Sequence, residues 1–111
     1  MFVDQMATKR IDLSTGDWIE IQYLSKGFRD EEKAYLSNIR VEFKNNKLND
    51  VDFLKRFKET EYKRVVEGIR SWSSDRDLTV ENLKLLKDSV FEEILEAIEE
   101  YNDLSEDEVK N

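Results

Sequence analysis

Residues Asp50 to Trp72 read DVDFLKRFKETEYKRVVEGIRSW and form the longest segment of the chain with one consistent period. Val51, Leu54, Phe57 or Lys58, Glu61 or Tyr62, Val65, Ile69 and Trp72 step by three or four residues, which draws an apolar stripe along one face of a helix. At about 1.5 Å per residue such a helix is roughly as long as a small domain is wide, so every other element must pack along it. Asp50 has the side chain of an N-cap, able to accept from the amides of Asp52 or Phe53. Phe53, Leu54 and Phe57 gather at the start, and Lys55, Arg56, Lys58, Lys63 and Arg64 cover the outer side. Gly68 costs roughly 1 kcal/mol relative to alanine inside a helix, and marks either a close approach of another backbone or a bend in the last turn.

Upstream, Lys9–Leu13 and Trp18–Tyr23 alternate apolar and polar residues, the period of half-buried strands. Ser14, Thr15, Gly16 and Asp17 supply the turn between them, so a β-hairpin is predicted, with Ile19, Ile21 and Tyr23 on one face and Trp18 on the other. Two strands alone are marginal in water, and their apolar face must lie on helices. Gly27 ends any regular element after Tyr23. From Asp30 the pattern turns helical, with Asp30, Glu31 and Glu32 in the first turn, Leu36, Ile39 and Phe43 as the stripe, and an end near Lys44 in the turn formers NNKLND.

Downstream, Thr79 caps a short helix that buries Leu83 and Leu86. Asp88 or Ser89 then opens a final helix whose stripe is Val90, Ile94, Leu95, Ile98 and Tyr101, with Glu92, Glu93, Glu96, Glu99 and Glu100 facing out. Two helices are favoured here over one bent helix. The fold class is α+β: an N-terminal hairpin on a mainly helical domain of three to four helices, one domain over residues 1–102. Residues 1–7 read as a loose start and 103–111 as an acidic disordered tail. Ile21 and Leu54 are both expected in the core.

Composition narrows the chemistry. The chain has 111 residues, no cysteine, no histidine and a formal charge of −8. Disulfides, thiolate nucleophiles, sulfur-ligated zinc and the commonest general base are all missing, and no catalytic, cofactor or metal constellation is visible. Paired catalytic carboxylates are not expected, since the acids lie along exposed helix faces. No apolar run approaches a signal-peptide core or a membrane span, so the expectation is a cytoplasmic protein with no membrane partner. The charge is uneven: from Asp88 to Asn111 there are ten acids and one base. Within Arg40–Arg70 bases outnumber acids nine to six. The interleaved acids and the overall charge argue against a nucleic-acid partner.

A resemblance enters through IDLSTGDWIEIQYLSKG. Gly16, Asp17, Trp18, Ile19, Glu20, Ile21, Leu24 and Gly27 resemble the opening of a family of small proteins encoded among the tail genes of long-tailed bacteriophages and prophages. The second half is similar in outline: a helix ending in tryptophan at Ile69–Trp72, a polar acidic loop, then a threonine-capped short helix and a final helix over Thr79–Tyr101. The chain departs from the pattern in SSDRDL, where relatives carry glycine and prolines, and at Phe28, where they carry glutamate. Members are regarded as tail assembly chaperones or tail-completion proteins.

The resemblance implies a protein that binds the tape-measure protein in the host cytoplasm and helps recruit tail-tube subunits, with no enzymatic activity and no cofactor. It also implies that a longer frameshifted form exists in some members. Candidate partner-binding residues are Trp18, Phe53, Leu54, Phe57 and Trp72. Each has an ordinary alternative: Trp18 as a lid on the hairpin, the others as core. Two other functions fit the sequence: a structural tail-completion or joining protein of the virion, which predicts a homo-oligomer, and an acidic inhibitor or DNA mimic acting on a host protein through Asp88–Asn111.

Overall fold

A computed structural model describes residues 7–103. The elements run β1 (Thr8–Asp12), β2 (Trp18–Gln22), α1 (Lys26–Lys44), α2 (Asp50–Gly68), β3 (Ile69–Trp72), α3 (Val80–Leu83) and α4 (Asp88–Tyr101). The fold is α+β, with an antiparallel sheet of order β1-β2-β3 on one side of the helices. The loose start over residues 1–6 and the acidic tail from 104 onward lie outside the described residues. Asp103 itself is held in a turn, its amide donating to the Glu100 carbonyl at 3.1 Å.

The hairpin forms as its alternation predicts. Lys9 pairs with Ile21 and Ile11 with Ile19, and Gly16 adopts φ +92° in the connecting turn, a conformation that costs a glycine little. Ile19 and Ile21 are each 1% exposed. Tyr23, expected beside them, lies past the end of β2, where it stacks on Tyr101 with ring centroids 4.4 Å apart.

The central helix is shorter than its period suggests. It stops at Gly68, and Ile69–Trp72 becomes a third strand against β2. Ile19 pairs with Trp72, Glu20 with Ser71 and Ile21 with Ile69, so Arg70 is an extra residue in the ladder. A bulge of this kind lets residues three apart face the same side of a sheet. Ile69 and Trp72 therefore keep a helix-like spacing while both pack against the core, and the period misleads for that reason.

Two helix starts also move. Asn49, not Asp50, caps α2, its side chain accepting from the Asp52 amide at 2.8 Å. Asp50 and Asp52 occupy the first turn instead, where carboxylates complement the helix dipole. Helix α1 begins at Lys26 rather than Asp30, because Ser25 accepts from the Phe28 amide at 3.1 Å. Gly27 thus lies inside the first turn and does not break the chain, and Phe28 packs against the core. The end of α1 is as read: Asn46 takes φ +59° and the chain reverses into α2.

The core joins Ile19, Ile21, Leu24, Val65, Ile69 and Leu83 to Phe91, Ile94, Leu95 and Ile98 of α4. Helix α4 runs alongside the second half of α2 in the same direction, since Phe91 meets Tyr62 at 5.0 Å between ring centroids and Ile98 lies against Gly68. Short helix α3 and α4 are separate, with Leu83 1% exposed and Leu86 packed against the core. Leu54 is not a core residue: it is 56% exposed.

Candidate functional site

The structure divides the five predicted partner-binding residues between two places. Trp18 and Trp72 come together at the turn end of the sheet, around a groove of about 500 Å³ whose walls also include Leu13, Leu85, Leu86 and Val90. Trp18 stands on the opposite face of β2 from Ile19 and is half-buried, with the Arg10 guanidinium 5.0 Å from its ring centre. Its amide donates to the Ser73 hydroxyl at 3.1 Å. Trp72 donates its indole N–H to the Arg76 carbonyl at 2.9 Å and packs against the core. Its polar edge is thereby satisfied within the chain, which fixes the ring as a wall of the groove.

Phe53, Leu54 and Phe57 lie at the other end of α2. From Leu54 to Gly68 the helix alone spans about 20 Å, so these residues and Trp72 do not share one groove. Phe53 meets Phe43 of α1 with centroids 4.7 Å apart, and Phe57 is half-buried. Phe53 thereby serves the packing of α1 on α2. Leu54 is different. It and Val51, 56% and 61% exposed, continue the stripe that lower down carries Tyr62 and Val65 into the core.

The reason is a difference in length. Tyr62 is level with Phe91, only three residues into α4, whereas α2 extends twelve residues from Tyr62 back to its own start. At about 1.5 Å per residue, α2 reaches roughly 13 Å beyond the start of α4. Val51 and Leu54 occupy that overhang, and the helical arm formed by the end of α1 and the start of α2 stands clear of the sheet. Val41 and Phe43 of α1 are also exposed on this arm, at 52% and 38%.

Sequence reasoning missed a buried ionic cluster between the two places. Arg64, expected on the outer side of α2, is 7% exposed. Its Nε donates to Glu32 of α1 at 3.1 Å and its Nη1 to Glu99 of α4 at 3.2 Å, while Nη2 also reaches Glu32. Burial opposes the charge on Arg64, but these carboxylates outweigh it and raise the guanidinium pKa above its ordinary value. Burial pushes the Glu99 carboxyl up; Arg64 pulls it down, and nearby Glu61 and Glu92 add to the rise. Glu61 forms an ion pair with Lys58 at 3.0 Å. The only sign of this cluster in the sequence is that Arg64 sits one residue from Val65 and shares its buried side.

Glu93 and Glu99, read as outward-facing acids, are half-buried and bonded within the chain. Glu93 accepts from both the amide and the hydroxyl of Ser14, each at 2.8 Å, and so fastens the hairpin turn to α4. Of the five glutamates read as facing outward, Glu92, Glu96 and Glu100 are exposed. Among the described residues no group of three or more Asp or Glu is placed to hold a metal ion, and no helix is long and apolar enough to cross a membrane. Comparison with protein-family models, curated proteins and solved structures finds no match to this chain.

Proposed function

We propose that this chain is a tail assembly chaperone of the long-tailed phage type, which covers apolar helical segments of a tape-measure protein in the host cytoplasm until tube subunits surround them. The family reading rests on the hairpin sequence and on the polar loop and two helices after Trp72, which resemble those of the tail-gene proteins. Ile69–Trp72, read in that resemblance as the end of a helix, is strand β3 and does not support it. The observation that carries the binding mode is the uncovered stripe of Val51 and Leu54, a continuation of a face that elsewhere packs on a helix. A helix presented to that face would bury apolar surface on both partners, as in helix-in-groove recognition. The groove beside Trp18 and Trp72, walled by apolar and polar side chains alike, is a second surface for the same client or for a tube subunit.

The acidic-inhibitor reading loses support from the geometry, because Glu93 and Glu99 are committed to Ser14 and Arg64. Capture of the tagged protein from cells producing the phage or prophage, followed by mass spectrometry, tests the proposal. Recovery of a very long helical tail protein together with tube subunits, and absence of this chain from mature virions, is the expected result. A host enzyme with no tail protein would overturn it, and presence in virions would establish the tail-completion role instead.

A further inference from the structure

We draw no further inference here: the strongest candidate, the groove between Trp18 and Trp72 at the turn end of the sheet, belongs to the site already described, and nothing in the structure shows what covers it.

Discussion

A Cβ placed on Gly68 would stand 2.7 Å from Cγ2 of Ile98, closer than side chains approach one another in folded proteins. The end of α2 and the last turns of α4 are in contact because position 68 has no side chain. Gly68→Ala gains up to about 1 kcal/mol of helix propensity but incurs overpacking of about 1–3 kcal/mol. A net loss is expected in urea unfolding. In an Ile98→Ala background the penalty should vanish, so a double-mutant cycle showing no coupling would place the two residues apart.

Arg64 connects three helices through Glu32 and Glu99. Arg64→Met leaves those carboxylates without their cation, and breaking a buried pair in this way costs about 3–5 kcal/mol. Glu99→Gln is predicted to be far milder, because burial already disfavours the charge on Glu99. Thermal melts of the two variants side by side test the ranking, and a Glu99→Gln variant as unstable as Arg64→Met would contradict it.

The same carboxyl gives a pH dependence with a definite sign. Its folded pKa lies above its ordinary value of 4.5, so the native state holds the proton more tightly than the unfolded chain does. Its contribution is complete below that value and is lost as pH rises through the folded pKa. Wild type should therefore gain stability relative to Glu99→Gln as pH is lowered from 7 toward 4.5. Urea midpoints across that range give the slope directly, and a gain in the opposite direction would mean that Arg64 dominates the site.

Asn102 closes the far end of the fold. Its side-chain oxygen accepts from the Leu24 amide at 2.7 Å, and its amide group donates to the Ile98 carbonyl at 2.9 Å and to the Gln22 carbonyl at 3.4 Å. Asn102→Ala should cost about 1–3 kcal/mol by stranding the Leu24 amide. Asn102→Asp keeps the acceptor and should recover part of the loss. Exchange of the Leu24 amide hydrogen reports the bond itself and should accelerate in the alanine variant.

Ile21 and Leu54 are expected to behave in opposite ways. Ile21→Asp puts a charge where the side chain is 1% exposed and should abolish the cooperative melt. Leu54→Asp changes a residue that is 56% exposed and should alter stability by no more than about 0.5 kcal/mol. Loss of folding in Leu54→Asp would show that the arm is covered within the molecule.

Period alone determined much of this chain. Alternation over Lys9–Tyr23 gave the hairpin, and the stripe of Ile94, Leu95 and Ile98 gave α4 and its buried side, because a strand or amphipathic helix records its buried face in its own spacing. The polar turn NNKLND likewise marked the end of α1 at Lys44. Only tertiary structure decided the rest. Ile69 and Trp72 have helical spacing, yet they pair with β2 through a bulge, since a register is set by the neighbouring strand and leaves no trace in local periodicity. Arg64 looks like any surface base until Glu32 and Glu99, thirty-odd residues away on either side, converge on it. Val51 and Leu54 share the stripe of Val65, and which of them is buried depends on where α4 begins, a length relation between two helices that neither helix encodes by itself.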